Sequence, residues 1–361
     1  MKHLPIKLSL TALSLVLCSG AWAQQVLQPT DKMLKPDELC SDYPDSAIAT
    51  FTDADLEAAV RTALSVSERE DLTCSLVSGL TRLSASGPGS TRYVSGSPRN
   101  RQDPDRPFES LTGIQNLTGL TRLSMGNLWI TDISALSGLT SLTGLSLHTN
   151  WVSDLGPLSG LTNLTSLILS ENPISDLSPL RGLTNLTFLR LHRHGDFVGG
   201  QLPMNFMGAT GLVFTNVITD ISPLAGMTKL TDLALHTNDI SDISALSGMT
   251  ALTDLRLAGN PIADLSPLQG LTSLLHLELT TTTVTDLGPL RELTNLRNLD
   301  LRYNADLSDI QPLIDNPGLG DGDNVELRFT TVTCADQARL AAKGVDVRIE
   351  LFSGCITPTR R

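Results

Sequence analysis

Three histidines, His148, His192 and His236, stand 44 residues apart, and two tryptophans, Trp129 and Trp151, stand 22 apart. An imidazole changes charge near neutral pH, so a row of them suits a ligand contact whose strength changes at about pH 6–7. It equally suits solvated side chains in copied segments. Two flat indoles side by side would make a platform for a sugar or a peptide. The alternative is that the nearby arginine-rich segment packs over them. Phe188-Leu189-Arg190-Leu191-His192-Arg193-His194 gathers aromatics and cations, and Phe197, Phe206 and Phe214 follow among glycines. That stretch reads either as a specific contact or as drift in a tolerated insertion. Arg256 and Tyr303 complete the candidate binding residues. The four cysteines beyond residue 23 are Cys40, Cys74, Cys334 and Cys355. No phosphate-binding loop, metal-spaced His/Glu cluster or G-x-S-x-G elbow occurs, so the expectation is no enzyme, no cofactor and no metal.

The spacings of 22 and 44 come from one repeat. Leu142–Leu161 reads LTGLSLHTNWVSDLGPLSGL; Leu164–Leu183 and Leu252–Leu271 repeat it. Apolar residues fall at positions 1, 4, 6, 11, 14, 17 and 20, Asn at 9 and Asp at 13. A period in the range of about 20–29 with L-x-x-L-x-L-x-x-N is the leucine-rich-repeat signature. Positions 3–7 alternate as a half-buried strand, with 4 and 6 facing inward and 3, 5 and 7 outward. Asn at 9 must turn inward and bond the turning backbone, because a buried amide without partners is costly. Leu128 and Thr282 replace it, so their coils need another solution. Asp at 13, from Asp132 to Asp309, suits the cap of a short helical turn on the far side. The expected fold is an α/β solenoid, a leucine-rich-repeat right-handed curved superhelix with a parallel concave sheet.

Residues 1–23 read as a secretory signal peptide with a cut after Ala23. Lys2 and Lys7 precede the apolar run Leu8–Leu17, which is too short to span a bilayer. Their removal takes the formal net charge from −12 to −14. Residues 24–39 read as a flexible leader. Residues 40–79 read as an N-terminal cap with a helix over Ala54–Leu64, started by Thr52 or Asp53. Repeats span 80–313, with a loop insertion at 86–110 and a degenerate coil at 194–211, ten coils in all. Residues 314–361 read as a C-terminal cap with strands at Val325–Phe329 and Val345–Ile349 and a helix at Ala335–Lys343. A solenoid needs both caps, or its end coils expose a layer of leucines. The cysteines flank the repeats two by two, so the simplest pairing is one disulfide per end, as in exported proteins.

By this frame the position-7 histidines lie two coils apart each time, about 10 Å at strand spacing, too far to share a metal. The outward positions mix arginines with acids. A balanced face suits a protein partner, with a glycan as the alternative; nucleic acid would want a basic stripe. No apolar run outside residues 1–23 is long enough to cross a membrane. The expected location is secreted or periplasmic.

The L-x-x-L-x-L-x-x-N-x-I-x-D-I/L-x-x-L-x-x-L unit, with its SPL and GLT segments, resembles the internalin-type repeats of secreted and surface bacterial proteins. The likeness covers about residues 53–313 and includes the helix at Phe51–Leu64. It implies a curved solenoid that binds other macromolecules. The chain shows no wall-sorting or surface-binding module, so surface anchoring and host-cell invasion are not implied.

Overall fold

The alternating leucines form a sheet. In the computed structural model, which describes residues 32–86, 108, 110–193 and 217–348, eleven short strands carry this pattern. They are β1 (Arg82–Ser86), β2 (Arg122–Gly126), β3 (Gly144–Ser146), β4 (Ser166–Ile168), β5 (Phe188–Arg190), β6 (Asp232–Ala234), β7 (Asp254–Arg256), β8 (His276–Glu278), β9 (Asn298–Asp300), β10 (Asn324–Glu326) and β11 (Asp346–Arg348). All lie in one parallel sheet in chain order. The central residues Leu123, Leu145, Leu167, Leu189, Leu233, Leu255, Leu277, Leu299 and Val325 pair in register. Each is at most 2% exposed. Each contributes roughly 1.5–3 kcal/mol by leaving water, and one continuous core runs from Ala49 to Val347.

The inward asparagines hold coil to coil. Asn260 donates from Nδ2 to Leu257 O in its own coil and to Leu235 O in the coil before, and its Oδ1 accepts from Ile240 N–H. Asn150, Asn172 and Asn304 repeat the arrangement. The substituted coils are satisfied from outside. Asn150 Oδ1 accepts from the N–H groups of Leu128 and Ile130, so Leu128 leaves no orphan. Thr282 keeps its hydroxyl on Leu279 O and Asn304 Oδ1, and its N–H donates to Asn304 Oδ1. The residue before repeat position 9 takes a left-handed conformation, whether asparagine or its replacement follows: Asn127, Thr149, Glu171, Thr237, Gly259, Thr281 and Tyr303 have φ of 54–67°. That costs non-glycine residues roughly 1–2 kcal/mol each. Each of these N–H groups donates to the next coil, as Thr237 N does to Ala258 O at 2.7 Å.

The acids at position 13 start the far-side turns. Asp132, Asp154, Asp176, Asp220, Asp242, Asp264, Asp286 and Asp309 each accept a hydrogen bond from the N–H two residues on. All but the last open three-residue 3-10 turns; Asp309 opens the short helix α3 (Gln311–Asp315). These carboxylates are structural, and their hydrogen bonds hold Asp176, Asp220, Asp242 and Asp264 below the usual aspartate range.

One expectation is overturned between β5 and β6. The lapse in the pattern adds no coil to the sheet: Phe188 pairs with Asp232 and Leu189 with Leu233. The ladder crosses without a gap, with Leu191 N on Ala234 O and Arg193 N on His236 O. Asn238 Nδ2 reaches back to Leu191 O. The intervening stretch lacks the paired leucines that would hold a strand between two others. The sheet therefore has one coil fewer than ten before the C-terminal cap. Residues 194–216 themselves, with Phe214, lie outside the described residues.

At the N-terminal end, helix α1 (Ala54–Leu64) is capped by Asp53, whose carboxylate accepts from the N–H of Asp55 and Leu56. A short helix α2 (Cys74–Ser78) carries Cys74 into the expected disulfide with Cys40. The proposed leader is partly structured: Leu34 N bonds Ile48 O, and Asn116 binds Cys40 N and Glu38 O. Residues 32–39 therefore belong to the cap. At the other end β10 and β11 extend the sheet, two residues shorter than expected. Helix α4 (Cys334–Ala341) starts on Thr333, whose hydroxyl accepts from Asp336 N–H, and Gly344 at φ 99° turns the chain after it. Lys343 Nζ donates to Leu313 O and Ile314 O, placing a cation at the C-terminal end of α3. Cys334 is disulfide-bonded; Cys355 and the signal segment fall outside the described residues. Among the described residues no helix is long and apolar enough to cross a membrane.

Asn260→Ala strips partners from two carbonyls and one N–H in the interior, at about 1–3 kcal/mol for each group left unmet. Loss of one exposed turn cap in Asp264→Ala costs about 1 kcal/mol. Urea unfolding should therefore rank Asn260→Ala well below Asp264→Ala in stability.

Candidate functional site

Inward residues of the sheet barely change from coil to coil, whereas the outward ones do. The first outward row runs Arg122, Gly144, Ser166, Phe188, Asp232, Asp254, His276, Asn298, Asn324, and the second runs Ser124, Ser146, Ile168, Arg190, Ala234, Arg256, Glu278, Asp300, Glu326. The face is therefore zoned. Small and neutral side chains cover β3 and β4, a mixed patch covers β5 to β7, and a charged hollow covers β7 to β10.

In the mixed patch the Arg190 guanidinium lies over the Phe188 ring at 4.5 Å. Asp232 stands between Arg190 at 3.7 Å and Arg256 at 3.8 Å, and Arg256 also reaches Asp254 at 3.9 Å. These are loose contacts beyond hydrogen-bond range and contribute little in water. Arg190 Nε is buried without a hydrogen bond among the described residues. Beside this patch His192 and His236 stack, with ring centroids 4.1 Å apart. The direct pairing of β5 with β6 thus replaces the expected two-coil separation of these two residues. His192 Nδ1 also meets Ser170 Oγ at 3.0 Å. Arg193 is half-buried, and burial lowers its guanidinium from the usual value. His148 is separate: its ring lies where a side chain on Gly126 would be, a Cβ there falling 1.9 Å from Cε1.

The charged hollow, of about 420 Å³, is lined by Asp254, Arg256, His276, Glu278, Asp300, Asn324 and Glu326 among others. Asp300 is gripped by Arg302, whose Nε lies 2.9 Å from both carboxylate oxygens. Glu326 pairs with Arg328 at 3.0 Å and Arg348 at 3.2 Å. The Glu278 carboxylate has no ion pair or hydrogen bond among the described residues. Burial, and then the neighbouring Asp300, push it above the usual glutamate range. Elsewhere, Tyr303 stacks on Phe329 with centroids 4.2 Å apart, and Phe329 is 45% exposed.

Trp129 and Trp151 stack with centroids 6.0 Å apart and planes 15° from parallel. Both are half-buried rather than exposed. Sequence reasoning did not reach Asn324, Glu326 and Phe329, because Val325–Phe329 reads as cap rather than as a further coil. The outward-inward alternation, carried one strand on, finds them. Gly126 was not legible, because its role is to be absent beneath a ring from the next coil. Among the described residues no group of three or more His, Cys, Asp or Glu side chains is placed to hold a metal ion.

Because the Glu278 carboxyl is raised in the folded state, its ionised form is disfavoured there. The favourable protonated state is fully present below the unfolded value near 4.5 and is lost as pH rises through the folded one. Relief of like charge directly across strands is worth roughly 0.2–1 kcal/mol. Glu278→Gln should therefore stabilise the chain at pH 7.5 by that order and leave it unchanged near pH 3.5, read as the difference in melting temperature from the unaltered protein.

A family model described as leucine-rich repeats, two copies, matches residues 162–196. Solved structures of Listeria monocytogenes proteins are similar. Internalin C2 of strain 4b F2365 is 29% identical over 78% of this chain and 93% of that one, with a TM-score of 0.51. Internalin InlF of the same strain is 28% identical over 84% and 92%, also at 0.51. The functional domain of InlJ, which includes a cysteine ladder, is 22% identical over 82% and 59% at 0.57, a likeness of fold alone. No curated protein matches the sequence significantly. With one parallel sheet built on a 22-residue period and an inward asparagine in nearly every coil, the chain is a leucine-rich-repeat solenoid whose repeats are similar to those of the internalins.

Proposed function

We propose that this protein is an exported scaffold that binds a protein partner through the concave, outward face of its sheet. One observation carries the reading: outward side chains vary from coil to coil over a core that does not, and across β5–β7 they leave charges only loosely paired. Such a patch has an aromatic and arginines, the residue types that dominate binding energy, and its weak internal ion pairs exchange at little cost for contacts with a partner. The signal reading of residues 1–23 and the Cys40–Cys74 disulfide support export to an oxidising compartment. Phe188→Ala combined with Arg190→Ala should weaken capture of the partner at least tenfold, on the order of 1.4 kcal/mol or more. Asp176→Asn on the far side should leave it unchanged. Equal capture by all three proteins in a quantitative affinity measurement would rule the concave face out.

A second reading, binding of a carbohydrate or envelope polymer, draws on the stacked Trp129 and Trp151. With residues 1–23 removed these are the chain's two tryptophans, so intrinsic fluorescence reports on the pair directly. A soluble envelope polysaccharide should shift the emission, and Trp129→Ala with Trp151→Ala should abolish binding measured by calorimetry. An unchanged spectrum at saturating polysaccharide dismisses this reading.

A further inference from the structure

We propose that the hollow over β7–β10 receives a lysine or arginine side chain of the protein partner. The inference rests on the concave-face reading and adds the chemistry of one contact. Three carboxylates stand directly abreast on neighbouring strands: Glu278 pairs in register with Asp300, and Asp300 with Glu326. Like charges directly opposite in a sheet destabilise it, so the row carries a standing cost in the unbound chain. The protein neutralises two of the three. Arg302 holds Asp300, and Arg328 and Arg348 hold Glu326. Glu278 is left over: it is half-buried, Arg256 and Arg302 act on it only at longer range, and among the described residues its carboxylate has no ion pair or hydrogen bond.

A second acceptor is also unmet. Asn324 lines the same hollow, and its Oδ1 is shielded from solvent and receives no hydrogen bond among the described residues. A buried carbonyl oxygen without a donor costs roughly 1–3 kcal/mol, and Arg256, which lines the hollow, reaches Asp232 and Asp254 only at 3.8 and 3.9 Å. An arginine or lysine side chain supplies a donor to that oxygen and a close cation to Glu278. The geometry also selects an organic cation over a metal ion. Successive strands are about 4.8 Å apart, a span that a planar guanidinium or a three-donor ammonium bridges, and no metal-holding cluster is present among the described residues. The hollow, of about 420 Å³, falls within the volume of ordinary ligand sites, about 300–1,000 Å³.

The test is an NMR titration of the isotope-labelled chain with N-acetyl-Gly-Arg-Gly-amide, its lysine analogue, and the citrulline peptide as the neutral isostere. Saturable shifts of amides on β7–β10 are expected with the first two and none with citrulline. Glu278→Gln should weaken binding at least fivefold, and Asp264→Asn on the far side should not change it. Since Glu278→Gln removes like-charge repulsion, loss of fold does not confound the result. No saturable shift with either cation, equal binding of citrulline, or equal loss with Asp264→Asn would overturn the proposal. If Phe188→Ala with Arg190→Ala still abolishes partner capture in that event, the concave-face reading stands without it. If the hollow takes the cations but that double variant binds its partner normally, the hollow stands and the β5–β7 patch falls.

Discussion

The asparagine side chains that reach from one coil into the coil before it are the constraint from which the rest follows. A coil of 22 residues turns through several sharp bends, and each bend leaves carbonyls and N–H groups facing an apolar interior. Asn150, Asn172, Asn260 and Asn304 meet those groups in two coils at once. No coil is therefore complete alone. This explains why Leu128 is tolerated, since Asn150 from the following coil accepts its N–H. It also explains why the array needs a distinct structure at either end, where a neighbour is missing.

The order imposed on the inner layer leaves the outer layer free. Leucine is required at the two inward strand positions, asparagine at the turn and aspartate at the far-side bend. The outward positions carry no such demand. They hold arrangements that do not favour stability: three carboxylates abreast at Glu278, Asp300 and Glu326, a buried Arg190 Nε without a hydrogen bond among the described residues, and ion pairs near 3.8 Å around Asp232. A stable core tolerates these features, and each is a group that a bound molecule could satisfy.

Much of this was legible in the chain. The period set the strands, and the alternation within it set which side chains face out. The eight aspartates followed from their place before I/L-S-x-L or a related turn. What was not legible depended on pairing between distant segments. The lapse after Arg193 has the length of one repeat, so register suggested an added coil. The missing leucines decided otherwise, and β6 closed directly on β5. That one pairing moved His236 beside His192 and Asp232 beside Arg190. Phe329 and Glu326 escaped for a related reason: the cap strand continues the sheet although its sequence has left the repeat.

The union of β5 with β6 makes one face out of the two halves of the repeat array, so it is the point at which to test the account. Phe188 and Asp232 face each other in register, and strands about 4.8 Å apart place Cα atoms within the range a disulfide spans. In a chain carrying Phe188→Cys and Asp232→Cys, mild oxidation should join the new cysteines, seen by mass spectrometry of the linked peptides. Joining should be as complete as in the reference pair Ser166→Cys and Phe188→Cys, which probes β4 against β5. If the reference pair links while 188 and 232 stay reduced, an element intervenes between β5 and β6, and the continuous outward face described above does not exist.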